Sequence, residues 1–324
     1  MEHLFMFIFA LGGGFFGAAI GGNYVFALTG FSILAAIGAA AGGAGDFSAN
    51  LFNYVCFGPF LGPHVAFGGA VAAAAYAAKR GYLDAGKDIV KPLAGLGKND
   101  VLFVGALFGG LGYLIKTGVA EIPWFGTHTD AVATTVIVSA ILSRLCFGDH
   151  KLLNLDKGKA LSTSEGVHWL EYHEKPTQLV TMGLLGGLFA AGVSVYLGVT
   201  VPGIGIMANT LPFAFSAITI LILSLGGTTP VTHHVTNIAG LGALVFYPVV
   251  AGVDDLAAAN AAGIDWGAAT WAVLIGAVFG IIAAFLGELF ARLFQIRGNT
   301  HIDPPAFAIF TGNTLVWVAF ALVG

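Results

Sequence analysis

Histidine and aspartate recur in two short motifs of the form Thr-His-x-Asp, at residues 127–130 and 300–303. Imidazole nitrogen and carboxylate oxygen are ligands for divalent transition-metal ions, and histidine also relays protons near neutral pH. These motifs therefore predict a role in gating or proton coupling. The candidate residues for that role are His128, Asp130, His301 and Asp303.

The same motifs also fit a purely structural role. Thr127 and Thr300 each stand three residues before the aspartate and just ahead of an apolar run, which resembles a helix capping box with Asp in place of Glu or Gln. In this interpretation the threonines cap two helices, and the aspartates bind amides of the first turn. Both interpretations are kept.

A second set of polar residues lies where apolar segments are interrupted by glycine and proline. His64 follows Gly62-Pro63, and His234 follows the break at residues 226–230. Broken backbone at membrane depth is tolerated only where it is buried in protein or lines a cavity, and an ionisable residue there indicates function. The predicted substrate-binding residues are His64, His234, Thr228, Thr229, Thr232 and Asn237.

These residues suggest no cofactor other than a divalent metal ion, acting as substrate or ligand. The predicted metal ligands are His64, His234, Asp130 and Asp303. The alternative for each histidine is a packed neutral ring. His233 adjoins His234, and neighbours on a helix point about 100° apart, so at most one of the two is expected to face a pathway.

The composition indicates which elements position these groups. Of the 324 residues, 57% are hydrophobic and 9% are charged, with a mean hydropathy of +0.88, whereas about 25% of a soluble domain is charged. This excludes a soluble enzyme and a basic nucleic-acid binder, and two cysteines exclude a disulfide-rich secreted domain. An all-α polytopic membrane protein is predicted.

Ten transmembrane helices are predicted, since a span needs about 20 apolar residues. The apolar run after Met1 exceeds the apolar core of a signal peptide and is expected to be the first span. The third span is broken by Gly58-Pro59 and Gly62-Pro63, which predicts a re-entrant segment followed by a helix. The predicted spans are 4–22, 25–45, 52–78, 101–120, 127–147, 178–200, 204–225, 234–252, 267–290 and 302–323.

The basic residues predict the orientation of these spans. With the N-terminus outside, 12 of the 13 Lys and Arg residues fall on the cytoplasmic side, and only Lys116 falls outside. This agrees with the positive-inside rule. The chain is therefore expected in the inner (plasma) membrane, with both termini extracellular or periplasmic.

The two halves of the chain resemble each other. Gly105–Gly109 begins 22 residues before the first motif's Thr127, and Gly276–Gly280 begins 24 residues before Thr300. Five spans per copy would make the second copy inverted, an arrangement common in transporters. The predicted units are a first membrane repeat at 1–148, a cytoplasmic connector at 149–177 and a second, inverted repeat at 178–324.

Smaller patterns suggest packing roles. Glycines four apart, as in Gly13 and Gly17, allow close contact between helices within the chain or in a homo-oligomer. Arg144 is expected to extend to the membrane interface, and Glu288 and Arg292 to form an ion pair one helical turn apart.

The function predicted from these observations is a membrane transporter or channel. Its substrate would be a small polar solute or ion, with a divalent metal cation or small anion favoured, and its pathway would lie between the repeats. The absence of Walker A, HExxH, GxSxG and CxxC motifs argues against an enzyme. A metal-binding membrane enzyme or redox component and a scaffold subunit of a larger complex are the alternatives. The expected partners are the lipid bilayer and the solute, with no nucleic acid.

Overall fold

The computed structural model describes residues 1–149, 152, 153, 161, 163 and 168–323. Much of the predicted connector at 149–177 therefore lies outside the described residues. Within the described part the regular structure is helical, without a β-strand. A single isolated bridge pairs the backbone of Gly86 with that of Thr300.

The first half of the chain forms seven α-helices. A π-helical segment, Leu51–Cys56, continues α3, and a 3₁₀ turn, Leu93–Leu96, precedes α5. The helices are α1 (Glu2–Ile20), α2 (Gly22–Ala41), α3 (Gly45–Asn50), α4 (Ala66–Lys79), α5 (Asn99–Ala120), α6 (Phe125–His128) and α7 (Ala131–Phe147).

The described part of the second half forms six further α-helices. A 3₁₀ turn, Gly205–Asn209, leads into α9, and a π-helical segment, Ala291–Gln295, continues α12. The helices are α8 (Pro176–Thr200), α9 (Thr210–Ser224), α10 (His233–Ala251), α11 (Leu256–Ala262), α12 (Trp266–Phe290) and α13 (Pro304–Val323).

Eight of the described helices are long and apolar enough to cross a membrane. Large apolar side chains cover their outer surface, and Phe103, Leu107 and Trp271 are each more than 60% exposed. A soluble monomer rarely carries so much exposed apolar surface, whereas lipid requires it. The described helices thus have the length and the apolar surface of a multi-pass membrane protein, as predicted. The eight helices are α1, α2, α5, α8, Gly205–Ser224, α10, Trp266–Gln295 and α13.

The two remaining predicted spans correspond to shorter helices. Helix α7 has 17 residues, and α4 has 14, of which 11 are buried. The predicted span 52–78 is divided into the π-helical segment, a non-helical stretch through Gly62-Pro63, and α4. The total of ten spans therefore remains a prediction.

The same helix pairings occur in both halves. Helix α1 packs against α4 and α5, and α8 packs against α10 and α12. Helix α4 also contacts α7, as α10 contacts α13. The halves meet mainly where α2 packs against α9.

Glycine permits the closest of these contacts. A Cβ on Gly14 of α1 would collide with the backbone of Gly105 and Gly109 in α5. A Cβ on Gly280 of α12 would likewise collide with the backbone of Gly183 and Gly187 in α8. These glycine rows pack helices within one chain.

Candidate functional site

A cavity of about 620 Å³ lies between the two halves. We call it the central cavity. Along α13, its wall includes Pro305, Ile309, Asn313 and Trp317, which form one helical stripe about 18 Å long. The volume is in the range of small-molecule sites.

The described wall combines aromatic and polar residues. Phe26, Phe57, Phe67 and Phe213 supply much of its apolar part. Its polar and charged residues are Asn23, Lys87, Lys116, Thr127, Thr129, Asp130, Asn209, Thr210, His233, Asn237, Gln295, His301, Asp303 and Asn313.

The second Thr-His-x-Asp motif forms a hydrogen-bonded series on this wall. The Nε2 of His301 lies 3.2 Å from Asp303 Oδ1, and its Nδ1 lies 3.0 Å from Gln295 Nε2. The Gln295 amide is fixed because its Oε1 accepts the Ile302 N–H at 2.9 Å. Its Nε2 must therefore donate to Nδ1, which leaves the ring proton on His301 Nε2, where it can be donated to Asp303.

The aspartates, rather than the threonines, cap the two helices. Asp130 Oδ1 accepts the N–H of Ala133 at 2.8 Å, and Asp303 Oδ2 accepts the N–H of Ala306 at 2.8 Å. The prediction that Thr127 and Thr300 are the caps is therefore wrong. The aspartates do bind amides of the first turn, as predicted, because each aspartate is itself the N-cap residue of its helix.

The first motif has different surroundings. The ring of His128 stacks on Trp124, with centroids 4.8 Å apart and planes 6° apart, and meets the edge of Trp317 at 5.1 Å. Its Nδ1 lies 2.7 Å from the Trp124 carbonyl oxygen. His128 thus packs between tryptophans, and only its neighbours in the motif line the cavity.

Arg144 holds the second motif from the opposite half of the molecule. Its side chain is fully buried, so the prediction that it extends to the interface is wrong. Nη2 donates to the Thr300 carbonyl at 2.6 Å, Nε donates to Thr300 Oγ1 at 3.0 Å, and Nη1 donates to the Leu152 carbonyl at 3.2 Å. These bonds connect the end of α7 to the segment before α13.

Helices α7 and α13 are antiparallel, and each motif contacts the far end of the other helix. Trp317, the fourteenth residue of α13, meets the ring of His128, just as Arg144, the fourteenth residue of α7, bonds Thr300. Asp130 and Arg144 are separated by about 20 Å along α7. The two motifs therefore line one cavity at different depths, without meeting at one ligand.

The predicted metal ligands are not assembled. Within the part of the chain that the structure describes, no three His, Cys, Asp or Glu side chains are grouped to hold a metal ion. His64 is 1% exposed, with its ring against Gly62, and His234 is fully buried against Gly287 and Trp169. Neither histidine is part of the described cavity wall.

His233, the neighbour of His234, lines the cavity instead. Its ring lies 4.8 Å from that of Phe26 and 5.9 Å from that of Phe213. Asn237, four residues later on the same face of α10, is also in the wall, and its role in substrate binding stays a prediction.

The three predicted threonines have other environments. Thr228 is exposed, and the carbonyl of Thr229 accepts a hydrogen bond from the Tyr172 hydroxyl at 2.7 Å. Thr232 donates to Ser216 at 3.3 Å. None of the three is in the described cavity wall.

Two lysines contribute positive charge to the wall. Lys87 Nζ donates to the Ile296 carbonyl at 3.2 Å, connecting the loop before α5 to the second half. Burial, followed by the positive charge of Arg144, lowers the pKa of Lys87. Lys116, near the end of α5, is on the same wall as Asp130.

Sequence comparison assigns the chain to a family without assigning an activity. The chain matches DUF7973, a family of unknown function, over residues 1–164 and 154–324, and it belongs to this family. The two matched segments overlap inside the predicted connector. No curated protein and no solved structure matches the chain.

Proposed function

We propose that this protein is a membrane transporter or channel that passes a small polar solute or ion through the central cavity. The observation that carries the proposal is the cavity itself, which both halves line with polar groups between apolar helices. Such a wall has no structural need for so many polar side chains, since polar groups at membrane depth are expensive unless they serve a pathway or a partner.

The repeated helix pairings support an inverted repeat as the basis of the pathway. The reciprocal contacts of α7 and α13, His128 with Trp317 and Thr300 with Arg144, are those expected of two copies related by a two-fold axis in the membrane plane. In this arrangement the cavity lies at the interface of the repeats.

Contacts among the basic loops support the proposed orientation. Lys79 donates to the Cys146 carbonyl, Lys87 to the Ile296 carbonyl, and Arg292 to the Leu161 carbonyl. These bonds gather the three basic regions at one end of the molecule. We propose that this end is cytoplasmic and that both termini lie outside.

Within this pathway the residues have different proposed roles. His301 and Asp303 are proposed for gating or proton coupling, because they are bonded to each other on the cavity wall. Asn237 and His233 are proposed for substrate binding, with His233 taking the role that the sequence suggested for His234.

Flux measurements in liposomes test the proposal. In a background with Cys56→Ser and Cys146→Ser, Ala306→Cys puts a thiol on the cavity wall. We expect flux above that of protein-free vesicles for at least one of glycerol, acetamide, Rb⁺ and Cl⁻. A membrane-impermeant thiol reagent should reduce this flux by about tenfold or more in the Ala306→Cys protein.

The native Cys146 provides the matched control. It is exposed and lies outside the described cavity wall, so labelling it in a Cys56→Ser protein should leave flux unchanged. Absence of flux for every probe with a monodisperse protein would refute the proposal. Undiminished flux after complete labelling of Ala306→Cys would refute the assignment of the pathway to this cavity.

A further inference from the structure

Three asparagines and a histidine form a polar cluster on one side of the central cavity. Asn313 Nδ2 donates to Asn237 Oδ1 at 3.0 Å, and Asn209 Nδ2 donates to the Asn237 carbonyl at 3.4 Å. His233 is one turn before Asn237 on α10. All four side chains are less than 10% exposed, and all four line the cavity.

Two polar atoms of this cluster are buried without a partner. Asn313 Oδ1 and His233 Nδ1 make no hydrogen bond to any described residue. Buried polar atoms are nearly always hydrogen-bonded, so an unsatisfied pair in a cavity wall is a place where a ligand can form hydrogen bonds.

The orientation of the amides decides what such a ligand must offer. Asn237 Oδ1 accepts a hydrogen bond from Asn313. The Nδ2 donor of Asn237 is therefore the group of this side chain that is available to a ligand. Asn313 Oδ1 is an acceptor, and the His233 ring nitrogen serves as either. The cluster therefore presents donors and acceptors together, whereas a cation is bound by acceptors alone and an anion by donors alone.

The charges of the cavity do not favour an ion of either sign. Its described wall carries two lysines, Lys87 and Lys116, and two aspartates, Asp130 and Asp303. The rings of Phe26 and Phe213 enclose His233, and apolar faces of this kind disfavour a bare charge.

We propose that Asn313, Asn237 and His233 are the substrate site of this pathway, and that they bind a small uncharged solute carrying both hydrogen-bond donors and acceptors, such as a polyol or a carboxamide. The inference rests on the proposed function and narrows its substrate class. It replaces the metal cation or small anion favoured from the sequence, because the wall offers neither a ligand cluster nor an excess of one charge.

Flux of glycerol and acetamide, compared with that of Rb⁺ and Cl⁻, tests this inference. Asn313→Leu removes the acceptor with little change in volume, and His233→Phe removes the ring nitrogens within an aromatic group. We expect glycerol or acetamide to cross in the native protein, and each variant to lower that flux on the order of tenfold, the factor that corresponds to about one lost hydrogen bond.

Asn260→Leu is the matched control. Asn260, like Asn313, donates a hydrogen bond from its Nδ2, in this case to the Val199 carbonyl, but it lies outside the described cavity wall. This variant should retain the native flux of the same probe. Asn313→Leu and His233→Phe lie on different helices, so the test can still be made if one of the two variants fails to fold. Size-exclusion chromatography would reveal such a failure.

The outcomes separate this inference from the broader one. Passage of Rb⁺ or Cl⁻ without glycerol or acetamide would overturn the uncharged-solute site while leaving a pathway in place. Unchanged glycerol and acetamide flux in folded variants would overturn the role of the cluster. No passage of any probe would overturn the proposed function, and this inference with it.

Discussion

The two Thr-His-x-Asp motifs have the same sequence pattern but different chemistry. Both aspartates cap a helix with the same geometry. His301 is buried and bonded to Asp303, whereas His128 is stacked on Trp124 near the surface. The shared part is therefore the helix cap, and the differing part is the environment of the histidine.

The difference comes from residues outside the motifs. Gln295, which orients His301, stands six residues before it, and the residue six before His128 is Ile122. Arg144 binds the second motif, whereas Trp317 stands at the corresponding position of α13 and contacts His128 of the first motif. A repeated scaffold thus carries one polar site and one aromatic site.

The largest effect on the difference between the two motifs is expected from replacing Arg144, which holds the second motif in place. Arg144→Leu removes the donor from the buried Thr300 carbonyl and leaves the Leu152 carbonyl without its partner, so we expect a loss of stability of about 3 kcal/mol. Thermal unfolding in detergent measures it. Arg80→Leu is the control, since the exposed Arg80 bonds the Tyr82 hydroxyl at the protein surface, and it should change stability by less than about 1 kcal/mol. Equal effects would mean that Arg144 is not the clamp of the second motif.

Much of the fold could be predicted from the sequence, because the bilayer constrains it strongly. Apolar length identifies α1, α2, α5, α8, α9, α10, α12 and α13, each close to a predicted span. The Glu288–Arg292 ion pair follows from helical spacing and is present at 2.6 Å. Helix α4 was harder to delimit, since an apolar run shows neither where a π-helical segment ends nor where a buried short helix begins.

The site was less predictable, because its contacts join distant segments. The spacing of His233 and Asn237 by four residues places them on one helical face and could have favoured His233 over His234. The Asn237–Asn313 bond joins residues 76 apart in the chain, and no local pattern indicates it. The burial of Arg144 could not be predicted, because two of its three hydrogen-bond partners are backbone carbonyls, which every sequence position possesses.

Replacing the histidine of each motif in turn gives a sharper comparison, with a smaller expected effect. His301→Leu removes the donor to Asp303, and we expect flux of the transported probe to fall on the order of tenfold. His128→Leu removes only a stacked ring and should leave flux within about twofold of native. His301→Gln, which retains an N–H donor, should recover part of the loss in the same liposome assay. Equal loss in His128→Leu and His301→Leu would show that the two motifs act alike.

The smallest expected effect concerns the bond that ties the first motif to α13. Thr129 Oγ1 lies 3.0 Å from Thr314 Oγ1, whereas the second motif has the buried Ile302 at the position of Thr129. Thr129→Val and Thr314→Val should each lower stability slightly, and the double variant should reveal a coupling energy of about 0.6 kcal/mol, the average for such bonds between membrane helices. Thermal unfolding of the four proteins gives this coupling. A coupling near zero would mean that α7 and α13 are held together by packing and by Arg144, so that the hydrogen-bonded connection between these two helices depends on the second motif.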